Sequence, residues 1–147
     1  MKKLLLLLAS VAAIFTACEG GLDNDENGVP AESNKILYTS SDGSMIIPNK
    51  SDVFGANIIS NDYDAEKECW VINFDAPVTS IGERAFAWCE SLISVYCKAT
   101  TPPTGGSNMF YSNASGRKIY VPRNSVEAYK SAEYWSDYAS DIEGYDF

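Results

Sequence analysis

The side chains that could do chemistry in this sequence are thiols and carboxylates. The 147 residues include four cysteines and no histidine, and 20 acidic residues stand against 11 basic ones. A cysteine nucleophile needs a neighbouring base, and histidine is the commonest metal ligand. The carboxylate pairs Asp62/Asp64 and Asp137/Asp141 are typical of a solvated surface rather than of a glycosidase site. We therefore predict that the protein is not an enzyme, and that it has no catalytic residue, no metal site and no cofactor.

Residues 1–17 have the composition of a secretory signal. Lys2 and Lys3 are followed by an apolar run, Leu4–Ala17, that ends in small residues. This order is typical of a signal peptide. The run is shorter than the ~20 residues that a helix needs to cross a bilayer. We therefore predict export with removal of residues 1–17, rather than a permanent transmembrane helix.

The residues before Cys18 resemble the lipobox of bacterial lipoproteins. Residues 14–18 read Ile-Phe-Thr-Ala-Cys, and Phe15 stands where leucine is commoner. The resemblance implies cleavage before Cys18 and attachment of lipid to its thiol, which anchors the mature protein to a membrane. Each buried methylene contributes ~0.8 kcal/mol, so several acyl chains hold a protein where one chain does not. The alternative is an ordinary cleaved signal followed by an incidental cysteine.

Residues 18–34 are predicted to form a flexible acidic tether, because large apolar side chains are few. The acidic residues Asp23, Asp25 and Glu26 lack the spacing of a calcium loop. Their position after a lipidated cysteine resembles the surface-export signal of some anaerobic Gram-negative bacteria. This resemblance implies an outer-membrane lipoprotein exposed at the cell surface. The formal net charge of −9 makes nucleic acid an unfavourable partner.

The middle of the chain contains a weak internal repeat. Three pairs of apolar residues, each with the period-2 spacing of a strand, follow one another at intervals of 23 and 24 residues: Ile72 with Phe74, Val95 with Cys97, and Ile119 with Val121. A unit of this size buries its apolar side only against a neighbouring unit. We therefore predict parallel strands stacked in register, with Val95 lying between Ile72 and Ile119.

Residues 78–97 resemble one leucine-rich-repeat unit of the BspA-like bacterial surface proteins. The unit V-x-x-I-G-x-x-A-F-x-x-C-x-x-L-x-x-V-x-(I/C) is matched at nine positions: Val78, Ile81, Gly82, Ala85, Phe86, Cys89, Leu92, Val95 and Cys97. Flanking units match in part, so the resemblance covers residues 70–142. It implies a mainly β fold with a short helix, built as a short leucine-rich-repeat solenoid over residues 69–147. It also implies a role in adhesion.

The segments beside the repeats are predicted to cap the solenoid. Residues 35–68 form the N-terminal β cap, because an Asp-Gly pair at residues 42–43 lies between two apolar runs and predicts a β hairpin. Near the other end, the spacing of Val126 and Tyr129 predicts a C-terminal helical cap with its N-cap at position 124 or 125.

The remaining cysteines, Cys69, Cys89 and Cys97, are odd in number. An odd number predicts at least one free thiol in an exported protein. Cys89 and Cys97 occupy inward positions of the repeat, where a thiol packs as a small apolar group. A disulfide at Cys69 stays open at this point.

Aromatic side chains form the candidate binding surface. Tyr96 and Tyr120 alternate with inward residues on successive strands, so we expect them side by side on the outer face. Trp88, Tyr111 and Trp135 are expected to be partly exposed. Outward aromatic rings can bind a protein or a glycan.

Three functions are compatible with this surface. The first is a non-enzymatic protein-interaction or adhesion module, which the BspA-like resemblance implies and which would contact host or neighbouring-cell surface proteins. The second is a glycan-binding or nutrient-capture lipoprotein that uses the same aromatic residues. The third is a structural surface protein without a dedicated ligand.

Overall fold

The computed structural model describes residues 33–147. The predicted signal peptide, the lipid attachment site at Cys18 and almost all of the predicted tether lie outside the described residues. Six strands form one mixed sheet in the order β2-β3-β1-β5-β7-β8. Their bounds are β1 Lys35–Ser40, β2 Ile58–Asp64, β3 Cys69–Phe74, β5 Leu92–Cys97, β7 Lys118–Pro122 and β8 Ile142–Tyr145. Strands β4 (Ser80–Ile81) and β6 (Thr104–Gly105) form a separate parallel pair.

The predicted leucine-rich-repeat solenoid of parallel strands is wrong, because β1 lies in the middle of the sheet. Strand β1 pairs antiparallel with both β3 and β5, and Tyr38 is the partner of Val95. Val95 therefore does not lie between Ile72 and Ile119. The physical reason is that β1 is apolar on both faces, with Leu37 on the face opposite Tyr38, and such a strand is most stable between two neighbours.

The predicted N-terminal β hairpin is also wrong. Residues 42–43 do form a turn, and Gly43 takes a φ of 72° there. The chain beyond it does not return as a strand beside β1. Ile46 is buried instead, and its backbone N–H donates to the hydroxyl of Tyr38 at 2.9 Å. The same hydroxyl lies 2.9 Å from Oδ1 of Asn61 on β2. The Tyr38 hydroxyl thus ties this crossing segment to the edge of the sheet.

The parallel half of the sheet consists of β5, β7 and β8. Val95 pairs with Ile119, and Ile119 pairs with Ile142. Strands β4 and β6 pair with the same offset of 24 residues, Ser80 with Thr104. Gly106 allows this close approach, because a Cβ there would lie 2.2 Å from the backbone nitrogen of Glu83. The 24-residue spacing is therefore repeated once in space, as one pair of neighbouring segments.

Aromatic rings fill the space between the sheet and the β4–β6 pair. Phe86 lies between Phe54 and Phe110, with ring centroids 5.7 Å away on each side. Trp135 is fully buried, and its indole N–H donates to the carbonyl of Pro103 at 2.7 Å. The expected partial exposure of Trp135 is therefore wrong, since its apolar surface closes the end of this core.

The C-terminal region contains one short helix, α1 (Val126–Ser131), between two 3-10 turns, Arg123–Ser125 and Ser136–Asp141. Ser125 holds the N-cap position without making a capping hydrogen bond. Its hydroxyl donates to the carbonyl of Thr100 at 2.7 Å instead. The helix does not end the molecule, because β8 follows it and adds an edge strand that the sequence analysis did not predict.

Both faces of the sheet carry apolar clusters. The face opposite the main core buries Leu37, Cys69, Val71 and Tyr96, with Tyr120, Tyr145 and Phe147 packed against them. Within residues 33–147, no helix combines the length and the apolar character that crossing a membrane requires.

Candidate functional site

Trp88 and Tyr111 form an exposed aromatic pair on the turns that precede β5 and β7. Their exposed fractions are 54% and 56%. The ring centroids are 6.2 Å apart, and the ring planes meet at 81°. The structure therefore brings together two of the four predicted binding residues and leaves both open to solvent.

A ladder of backbone hydrogen bonds holds this pair in place. The N–H of Trp88 donates to the carbonyl of Tyr111 at 2.8 Å, and the N–H of Phe86 donates to the carbonyl of Met109 at 2.8 Å. The side-chain amide of Asn113 donates to the carbonyl of Phe86 at 2.7 Å. Because the adjacent phenylalanines stack inside the core, the two exposed rings are carried on rigid backbone.

The backbone of Trp88 lies in the left-handed region, with φ 59°. This conformation suits glycine or asparagine, and it costs a bulky residue about 1 kcal/mol. A tryptophan there, with more than half of its surface in water, contributes little to the core. Strain of this kind at an exposed aromatic residue points to a functional site.

Two further side chains extend the site. The guanidinium carbon of Arg84 lies 5.9 Å from the centroid of the Trp88 ring. Ile47 is 72% exposed, and its carbonyl lies 4.0 Å from Sγ of Cys89. Three adjacent segments thus present one surface, which we call the turn surface and define as Ile47, Arg84, Trp88 and Tyr111. Sequence reasoning missed Ile47 and Arg84, because nothing in the repeat indicates which segment lies beside residues 84–89.

Tyr96 and Tyr120 form a second pair, on the sheet. Their rings stack with centroids 4.8 Å apart, but Tyr96 is only 6% exposed. Tyr145 packs edge-on against both rings, at 5.5 Å and 5.7 Å. Burial is the main cause that raises the pKa of each tyrosine of the pair. The Tyr96 ring is therefore not open to a partner, and its neighbours include an aromatic residue from the unpredicted strand β8. The alternation of Tyr145 with Phe147 was the signal that could have revealed that strand.

The carboxylate pairs of the sequence analysis serve local structure. Asp64 accepts hydrogen bonds from the backbone N–H groups of Glu66 and Lys67, at 3.0 Å and 3.1 Å. Asp141 forms an ion pair with the buried Arg117. The two aspartates thus support a turn and a buried arginine.

Two cysteines of the described chain are free thiols, as the odd count predicted. They are Cys89, half-buried, and Cys97, fully buried on β5. Burial raises the pKa of Cys89 to about 11 and that of Cys97 to about 12. Both thiols are therefore protonated and poorly nucleophilic at neutral pH. Because both values exceed that of an unfolded cysteine, these groups favour folding at neutral pH and lose that contribution as the pH rises above about 9. Cys69 is buried and disulfide-bonded.

Comparisons with models of protein families, with curated proteins and with solved structures found no match. The resemblance to the BspA-like family thus gains no support from them.

Proposed function

We propose that this protein is a lipid-anchored binding module of the bacterial cell surface, and that it holds macromolecules of a neighbouring surface through its turn surface. The observation that carries the proposal is the exposed indole of Trp88 on rigid, left-handed backbone. The side-chain types agree with this role, because tryptophan, tyrosine and arginine dominate the residues that contribute most to binding.

The proposal follows from what the turn surface contributes to folding. A ring in the core stabilises the protein by leaving water, whereas Trp88 and Tyr111 leave about half of their surface in water. Rigid aromatic side chains also lose little conformational entropy when they bind. The arrangement is therefore well suited to recognition and of little use to stability.

Anchoring at Cys18 completes the proposal. A tether of residues 18–34 that behaves as a flexible chain has an end-to-end distance of about 20–25 Å. The net charge of −9 keeps the domain away from an anionic bilayer surface. Together, these properties present the folded domain to the outside while the lipid retains it.

Replacing Trp88 with glycine tests the binding surface. Glycine accepts the positive φ, so the loss of ring contacts is partly offset and the stability should change by no more than ~1 kcal/mol. Adherence of cells that express the full chain should fall about 10-fold or more, as for the loss of a central binding residue. Adherence is measured by counting cells retained on a layer of partner cells.

Tyr63→Ala is the matched control, because Tyr63 is 52% exposed and also makes an edge-on ring contact, with Trp70. This variant should adhere like the original protein. A folded Trp88→Gly variant with unchanged adherence contradicts the proposal.

The anchor is tested by Cys18→Ser and intact mass. The original protein should carry the mass of its acyl chains and fractionate with membranes, and the variant should lack both properties. Acylation and disulfide formation compete for one sulfur atom. A protein without acyl mass, and two hydrogens lighter than its reduced form, would therefore contradict the anchor.

A further inference from the structure

The shape of the turn surface restricts what it can hold. The planes of Trp88 and Tyr111 meet at 81°, so the two rings form a corner. An aromatic side chain buries about 150–250 Å² when fully covered, and here only about half of each ring is open. Protein partners bury about 800 Å² on each side around an apolar centre. The corner is too small for such a centre and matches the face of one sugar ring.

Polar groups surround the corner. Arg84 is about half exposed beside the Trp88 ring, where its N–H groups can donate to hydroxyl groups. Ser112, next in sequence to Tyr111, and Asn49 are also exposed. The N–H of Asn49 donates to the carbonyl of Ala85 at 2.8 Å, which places Asn49 beside the same turn. A pyranose ring has the complementary chemistry, with C–H groups on its faces and hydroxyl groups around its edge.

The charges of the site favour a neutral sugar. Arg84 is its only cationic member, and Nη1 of Arg84 lies 3.7 Å from the carboxylate of Glu83. The whole chain carries a net charge of −9, which repels sulfated, sialylated or uronic-acid glycans.

We infer that the turn surface binds a neutral glycan, with the face of a pyranose ring on Trp88 and Tyr111 as the second wall of the corner. The inference rests on the proposed function and names the chemical class of its ligand. Recognition of this kind is weak at one site, and many copies on a cell surface raise the overall avidity.

The experiment uses the mature lipoprotein in a detergent without sugar groups, applied to an array of neutral and acidic oligosaccharides. The protein should bind neutral oligosaccharides, and the affinity, measured by titration calorimetry, should fall about 10-fold or more in Trp88→Gly and in Tyr111→Ala. Tyr63→Ala should bind like the original protein. An array without binding, binding to acidic glycans alone, or binding that Trp88→Gly leaves unchanged would overturn the inference.

Adherence to treated partner cells separates this inference from the proposed function. Mild periodate, which cleaves vicinal diols of sugars, should abolish adherence, whereas protease treatment should leave most of it. If protease abolishes adherence and periodate does not, the partner is a protein and the glycan inference fails, while the binding role of Trp88 stands. If folded Trp88→Gly adheres normally, the proposed function fails as well.

Discussion

Phe86→Ala is expected to lower the free energy of unfolding by about 3–5 kcal/mol. Phe86 is fully buried, and its ring stacks on Phe110 with an interplanar angle of 4° while Phe54 meets it edge-on. Removing the ring opens a cavity in the thin layer between the sheet and the β4–β6 pair. The neighbouring backbone cannot easily collapse into it, because hydrogen bonds fix residues 86–88 to the next turn.

The loss is large compared with the 5–15 kcal/mol that holds a typical domain together. Phe86→Asp should leave the domain unfolded, since it also buries an unpaired charge. Urea unfolding, followed by tryptophan fluorescence, measures both effects. Trp88→Ala is the control two residues away, and it should move the transition far less because the Trp88 ring is half in water. A Phe86→Ala variant within ~1 kcal/mol of the original protein would show that this ring stack does not support the fold.

Arg117→Met is expected to lower the free energy of unfolding by about 2–4 kcal/mol. The guanidinium is buried between the rings of Phe110 and Tyr138, with centroid distances of 5.3 Å and 5.0 Å. It donates to the carbonyl of Phe110 at 2.9 Å and to Oδ2 of Asp141 at 2.5 Å. Methionine keeps much of the side-chain volume but leaves both acceptors without this donor.

We place this loss below that of a fully buried pair, because the Asp141 side chain is about one-third exposed and water can compensate it. Arg117→Lys should recover only part of the stability, since lysine keeps the charge but not the planar fork of donors.

A double-mutant cycle with Asp141→Asn isolates the pair, and we expect a coupling energy of about 1 kcal/mol or more. The matched control is Arg123→Met, which removes an exposed pair with Asp146 that has similar hydrogen-bond lengths. Its urea transition should move much less. Equal shifts for the two arginine variants would contradict the role of burial at Arg117.

The aromatic residues show how far sequence reasoning reached toward the site. Exposure of Trp88 and Tyr111 agrees with the expectation from the sequence, because both lie outside the period-2 pattern of the strands. Tyr96 does lie beside Tyr120, as alternation predicts. Its burial could not be predicted, since it depends on which other segments cover that face of the sheet.

What the sequence determined by itself was local. The period-2 spacing around Val95 and Ile119 predicted two strands, and their parallel pairing followed from the repeated unit. The signal and tether segments are likewise local predictions, which depend on composition.

The tertiary structure decided which strands are neighbours. Hydrophobic spacing indicates which side of a strand is buried but not what lies beside it, so Ile72 and Val95 looked adjacent although β1 separates them. The same limit hid the turn surface, because Ile47 and Arg84 come close to Trp88 only when segments distant in sequence pack together. Long-range pairing gains its stability from both partners at once, and neither partner encodes it alone.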